Sequence, residues 1–283
     1  MIVLICLRKW KRMRVINYNL RDRQTPERLL DKIIRIHNTP ANSGKLILLV
    51  EGKYDVPFYQ KFCDMKYVYI HFTEGSEKMD SLVPLLAKRK YEYLAIQDSD
   101  FRFWGQQKAD YDNLFFTDCH DYEMTCFSDD VFSQVFSDRV MKVYGAPVNY
   151  DLIDSDLQLL SCYKACNMVN SLGVSFKLID KKVTEIPNID NACIQSNIVG
   201  NLQQGYVNGF VKSINNIGQG RYHLHNGHDW LNRICYYLNS NKYVEEEELQ
   251  ELVVSLYSKE CFVQTQLYKD IALWESKRRK VWN

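Results

Sequence analysis

Acidic residues recur where short apolar runs end. Glu51 stands in Val50-Glu51-Gly52-Lys53-Tyr54-Asp55, Asp98 and Asp100 in Asp98-Ser99-Asp100, and Asp118, Asp121 and Glu123 follow Leu114-Phe115-Phe116. One acid after a strand is ordinarily a helix N-cap or a solvated loop residue. Recurrence at successive strand ends is harder to attribute to capping. Two carboxylates roughly 6 Å apart repel by about 3 kcal/mol at an effective dielectric near 20. A pocket built from them either retains a proton, as an acid/base dyad does, or takes a hard cation. Oxygen donors with no companion His or Cys set favour Mg²⁺, or Mn²⁺, over zinc. Such an ion makes water nucleophilic and stabilises in-line phosphoryl transfer.

The elements that must position these acids read as α/β. Thr25 is the N-cap and Pro26 the first residue of a helix reaching His37. Asn38 to Gly44 is a turn-rich break, followed by the continuous apolar run Lys45–Val50 of a strand buried on both faces. A helix over Asp55–Asp64, a strand over Tyr67–Phe72, a helix over Met79–Lys90 and a strand over Tyr91–Ile96 come next. A strand at Leu114–Phe116 and a helix at His120–Phe127 complete the alternation, which predicts a parallel sheet flanked by helices. Its carboxyl edge is where ligands bind in open α/β sheets. Strand residues two apart share a side, so Asp98 and Asp100 are expected to project together. Past residue 130 the pattern turns helical over Asp151–Leu172 and Val244–Trp274, interrupted by a β-like Val174–Ile179. The expected organisation is an N-terminal arm and helix over 1–43, a catalytic core over 44–130, and a mostly helical accessory region over 131–283.

Leu49-Val50-Glu51-Gly52-Lys53-x-Asp55 followed by Asp98-x-Asp100 resembles the Glu and Asp-x-Asp motifs of Toprim domains, found in topoisomerases, bacterial primases and overcoming-lysogenization-defect nucleases. With Thr117-Asp-x-His-Asp-x-Glu123 and Gly227-His228-Asp229-Trp230, the chain is similar to the Toprim-containing effectors of PARIS anti-phage systems. The resemblance implies a nuclease-like toxin, held by a separate ATPase and released when a phage protein is sensed. It implies that Glu51 is a general base or metal-proximal carboxylate. Asp98 and Asp100 become the principal Mg²⁺ ligands, with Glu123 completing the cluster. Asp55 either joins a second metal or faces the first turn of its helix, where the dipole favours an anion. Lys53 and Lys78 are candidate phosphate contacts or solvated lysines. His228 is a candidate contact to the substrate strand, or the start of a helix packed on the core after a turn at Gly227. One Asp-x-Asp leaves a one-metal and a two-metal mechanism both open.

Other features bound the reading. A net charge of +1 does not announce a nucleic-acid binder, although a local basic groove suffices for a nuclease. Nine cysteines, an odd number without a CxxC pair, fit reduced thiols; Cys162 and Cys166 fit a buried helical stripe. The apolar Met1–Cys6 is too short to span a bilayer and precedes rather than follows the basic Arg8–Arg14, so a cytoplasmic protein without membrane contact is expected. The basic runs Arg8–Arg12 and Lys277–Lys280 are either phosphate contacts or solvated termini. Phe101, Phe103 and Trp104 are either base-stacking platforms or core. The absence of GxxxxGK[ST] removes a self-contained ATPase, and no zinc-finger spacing supports a primase. The leading expectation is a metal-dependent nuclease acting on tRNA, able to form a homodimer after release from its ATPase. The alternatives are a Toprim DNA nuclease or DNA-processing factor, and a non-catalytic Toprim binding module.

Overall fold

The computed structural model describes residues 25–102, 111–180, 182–200, 202, 207–208, 220–239, 243–275 and 278–283. Pro26–His37 forms α1, with the Thr25 hydroxyl accepting from Arg28 N at 3.4 Å. Then follow β1 (Leu46–Val50), α2 (Asp55–Gln60), β2 (Val68–Phe72), α3 (Ser76–Lys88), β3 (Tyr93–Gln97) and β4 (Leu114–Phe116). All pairings are parallel, in the order β2-β1-β3-β4.

The period-two geometry of a strand divides the core cleanly. Leu46, Leu48 and Val50 of β1, with Leu94 and Ile96 of β3, face the larger apolar cluster. Ile47, Leu49, Tyr93 and Ala95 face a second one made with Leu29, Leu30 and Ile33 of α1 and with Met79, Leu82 and Leu86 of α3. Every β1 residue is fully buried, and each such Leu, Ile or Val contributes about 1.5–3 kcal/mol. This explains why the strand reads as an unbroken apolar run.

Helices dominate the remainder: α4 (Tyr122–Phe127), α5 (Asp130–Tyr144), α6 (Tyr150–Val169), α7 (Lys177–Asp180), α8 (Asn191–Asn197), α9 (Gly220–Leu224), α10 (Gly227–Leu238), α11 (Glu246–Leu256), α12 (Lys259–Phe262) and α13 (Gln266–Glu275). Their buried residues belong to the same larger cluster as one face of the sheet, so the helical half is fused to the core. Cys162 and Cys166 lie buried in α6, and no disulfide joins the described cysteines.

Two expected elements are corrected. The β-like Val174–Ile179 instead enters helix α7, leaving only a Ser175–Val199 bridge. Phe176 and Ile179, three apart, are both buried while Leu178 is 49% exposed, so burial follows a helical and not an alternating period. The long periodicity over Val244–Trp274 is cut into α11, α12 and α13. Ser258 caps Cys261 N at 3.2 Å, and the distant Asp118 carboxylate accepts from Gln266 N and Leu267 N at 2.6 and 2.7 Å. No described helix is long and apolar enough to cross a membrane.

Candidate functional site

The register puts Val50, Phe72, Gln97 and Phe116 along one edge, and β1 and β3 are neighbours. Glu51 and Asp98 therefore leave the sheet side by side, and Glu51 Oε1 accepts from Asp98 N at 3.1 Å. The loops beyond are tied together. Ser99 N donates to Thr117 Oγ1 at 2.9 Å, and Asp100 N to the His120 carbonyl at 2.8 Å. The loop after β4 thus delivers α4, which is capped by Asp121 through Met124 N at 2.9 Å.

Against α4 lies the start of α10. Its first residue is not the turn glycine the sequence suggests; Asn226 is the N-cap and Gly227 is already helical. Glycine is needed there for close approach, because an added Cβ would fall 2.5 Å from Glu123 Cβ and 2.7 Å from Asp121 Oδ1. The same approach lets Gly227 N donate to Asp121 Oδ2 at 2.6 Å.

These elements enclose a cavity of about 210 Å³ whose acidic lining is Glu51, Asp55, Glu74, Asp98, Asp121 and Glu123. Burial, then the charge of Asp100, pushes Glu51 up to about 8. Burial pushes Asp55 up to about 6, although Gly52 N donates to its Oδ2 at 2.7 Å. Asp98 is raised well above the usual carboxylate range by burial and then by Asp55 and Glu51. Glu123 is raised likewise, by burial and then by Asp121. Asp121 runs the other way. Burial opposes its charge, but the bond and charge of His120, with the N–H groups of Gly227 and Met124, hold it below its ordinary value. Like charges confined in a dry pocket cannot all ionise, so this basin retains protons around an ionised Asp121.

No family model, curated protein or solved structure matches this chain. The site is therefore read from its own chemistry. An all-oxygen donor set that holds protons for want of a counter-charge suits a hard cation such as Mg²⁺ or Mn²⁺. The side chains are not assembled for one as they stand: among the described residues, no three His, Cys, Asp or Glu groups stand close enough together to hold an ion. Glu51, Asp55 and Asp121 are turned toward backbone N–H groups instead.

The expected site residues divide. Glu51, Asp55, Asp98, Glu123 and His228 line this cavity. Asp100 does not share the side of Asp98, because β3 has ended and Asp100 adopts φ 45°. It lines the neighbouring cavity instead. A non-glycine residue in that conformation costs on the order of 1 kcal/mol and is held by its surroundings, here by the bond to His120. Glu74, at φ 66°, borders the acidic cavity in the same conformation, anchored by its N–H to the Glu51 carbonyl. Lys78 is paired with Glu74 at 2.7 Å, and exposed Lys53 lies over the Tyr54 ring. Neither lines the cavity.

The histidine cluster scatters. His225 is buried between Ser161 and Asp154 at 2.8 and 2.6 Å, a serine–histidine–aspartate chain whose serine is buried while its aspartate is partly exposed. Desolvation lowers the pKa of His223. His228, at the cavity mouth with its side chain 55% exposed, bonds Glu246 of α11. Desolvation opposes its charge, but that bond with Glu246 and the charges of Glu123, Glu246 and Asp121 push it up to about 10.

The described basic end is exposed to solvent, in keeping with the second of its two readings, and its charges are paired locally. Arg278 binds Asn113, Arg279 pairs with Glu92 and Lys280 with Asp64, all at the opposite edge where strands enter the sheet. Phe101 is 8% exposed and edge-on to His120. Phe103, Trp104, Lys277 and the Arg8–Arg12 run lie outside the described residues. The sequence marks Asp121 only as one of the strand-end acids, and Asn226 and Tyr54 join the site only through the fold. Asn226-Gly227 before an apolar helix is an N-cap signature, but nothing local marks Tyr54, which enters through its bond to Glu247 at 2.6 Å.

Proposed function

We propose that this chain is a Toprim-type, divalent-metal-dependent nuclease. The observation that carries the reading is the acidic basin: carboxylates from two adjacent strand ends and from α4, buried together at the carboxyl edge of a parallel sheet, their pKa values raised first by burial and then by one another's charge. A structural role gains nothing from such crowding, which argues against a non-catalytic binding module. Glu51, Asp98 and Glu123, with Asp55, would hold the ion once their side chains turn toward it, while Asp100 faces the neighbouring cavity. When bound, Mg²⁺ or Mn²⁺ supplies Lewis-acid neutralisation of phosphate charge and a nucleophilic water at neutral pH. Glu51, raised to about 8 by burial and then by the charge of Asp100, would accept a proton once ionised. His228 at the cavity mouth, with Lys53 and Lys78 beyond its lining, would contact an approaching polyanion.

By the resemblance of its motifs, the nuclease is the toxic effector of an anti-phage system, held by a partner ATPase and dimerising after release. Its substrate is tRNA, cut in the anticodon stem-loop, whose unpaired bases proteins read by stacking and edge contacts. Cutting tRNA arrests translation in the infected cell. The test is sequencing of small RNAs and mapping of chromosomal breaks after inducing wild type and Glu51→Gln. Cut tRNA anticodon loops in wild type alone support the reading. Intact tRNA with breaks in DNA hands it to a Toprim DNA nuclease. Cleavage that survives Glu51→Gln or excess chelator removes the metal mechanism.

A further inference from the structure

The rim of the acidic basin is held by a helix from outside the sheet. Two successive residues in the first turn of α11 each grip one lining residue. Glu247 accepts from the Tyr54 hydroxyl at 2.6 Å, and Glu246 Oε1 accepts from Nδ1 of His228. Gln250, one turn on and 1% exposed, donates through Nε2 to that same Glu246 oxygen at 3.1 Å, which fixes the carboxylate against the ring. A carboxylate acceptor places a proton on Nδ1 and leaves the other ring nitrogen to face outward. That nitrogen, Nε2, has no hydrogen-bond partner among the described residues. The side chain is 55% exposed where it lines both the basin and the neighbouring cavity. An ion pair so exposed adds little to stability; what it fixes is the ring.

Hydrolysis of a phosphodiester expels a sugar oxygen that needs a proton, on the side of phosphorus opposite the incoming water. Carboxyls that take up a cation give up their protons, so the basin acids cannot supply it once the ion is in place. Glu74 is paired with Lys78, and the Tyr54 hydroxyl is bonded to Glu247. Among the described lining residues His228 keeps a proton to give, its charge favoured by Glu246, Glu123 and Asp121. Glu51 enters from the end of β1 and His228 from α10, which packs on α4, so acceptor and donor reach the basin from different elements. We propose that His228 is the proton donor to the leaving sugar oxygen, and that Glu246 is the positioning residue that aims it. This role rests on the nuclease reading above. In the step, a water oxygen bonds phosphorus while its proton passes to ionised Glu51. The bond from phosphorus to the sugar oxygen breaks, and the departing electron pair takes the proton from Nε2. The neutral ring keeps its Nδ1–H on Glu246; solvent then returns a proton to Nε2 and removes the one on Glu51.

The experiment maps the linkage that the full chain cuts in an oligonucleotide with Mn²⁺ present, then replaces the leaving oxygen of that linkage with sulfur, which departs without a proton. Single-turnover rates are compared for wild type, His228→Gln, Glu246→Gln and Glu246→Asp, each checked for an unchanged thermal midpoint. On the oxygen linkage His228→Gln should lose about a hundredfold or more, the usual worth of a general acid. Glu246→Gln should lose a smaller part of that, and Glu246→Asp should recover most of it. On the sulfur linkage the losses of both His228→Gln and Glu246→Gln should nearly vanish. Should one of these variants unfold, the other carries the same comparison. Equal losses on the two linkages, or no loss on either, overturn the donor role and leave the nuclease standing. A wild-type chain that cuts nothing removes the nuclease reading, and the donor with it.

Discussion

Two buried polar regions sit on the same hydrophobic core and are built on opposite rules. Among the described residues of the helical half, buried charges meet their opposites. Arg233, fully buried in α10, donates through Nε to Asp156 Oδ2 at 2.7 Å and through its other nitrogens to the carbonyls of Ile186 and Pro187 at 2.5 and 3.0 Å. Lys164 lies between Asp180 and Asp229, and His225 between Ser161 and Asp154. At the strand ends, acids meet mostly acids, and protons make up the difference. Paired charges specify how helices dock; unpaired ones leave a deficit that only a proton or an incoming cation fills. The Ser161–His225–Asp154 chain makes the same point, since its residue types are those of a hydrolase but its serine is sealed from solvent and serves packing.

The sharpest way to break this contrast is to remove one member from each region. Arg233→Ala leaves Asp156 to the Tyr237 hydroxyl and without a counter-charge, and should cost about 3–5 kcal/mol in denaturant unfolding. Glu51→Gln should leave stability unchanged or slightly higher, while cleavage falls by roughly a hundredfold or more. Comparable destabilisation by both variants would erase the distinction.

Gly227→Ala tests the seam between α10 and α4. Its methyl must displace the Glu123 Cβ and the Asp121 carboxylate, an overpacking cost of about 1–3 kcal/mol. Loss of the Gly227–Asp121 bond should also lower activity. A thermal midpoint equal to wild type would show that the approach is looser than described.

The pH dependence separates the regions without mutation. Glu51 rises from 4.5 to about 8 and Asp55 from 3.8 to about 6. A carboxyl raised on folding binds more protons in the folded state between its two values, so the stability it contributes is full below the lower value and is lost as pH climbs through the upper one. Urea midpoints without divalent ions should therefore fall between about pH 4.5 and 8, by up to about 1.4 kcal/mol per pH unit for one fully linked proton. His228, raised from 6.5 to about 10, has the same sign and a later window, weakened by its exposure to solvent. Added Mg²⁺ should stabilise more at pH 8 than at pH 5, because it competes with those protons. A Glu51→Gln profile as steep as wild type would assign the slope elsewhere.

The smallest effect belongs to the basic end. Arg279→Ala breaks an exposed pair with Glu92 and should cost about 0–1 kcal/mol, less at high salt. It should leave cleavage untouched, since the pair lies at the far edge of the sheet.

What the sequence determined by itself was local. Unbroken apolar runs marked β1 and β3 because a strand covered on both faces has no polar side to show. Thr25-Pro26 marked the start of α1, and the strand-end acids marked the edge where chemistry is proposed. Tertiary structure decided what spacing cannot encode. Asp98 and Asp100 part company because the strand stops at Gln97 and backbone strain turns Asp100 aside. Asp118 leaves the acidic group to cap a helix 148 residues away in sequence, and His223, His225 and His228, close neighbours in the chain, reach separate environments. Asp121 is held below its ordinary pKa by His120 first, and then by a backbone N–H that Gly227, from the distant α10, brings to within 2.6 Å. A carboxylate's role is set by the fields and donors around it, and in this chain these come from loops that only the fold brings together.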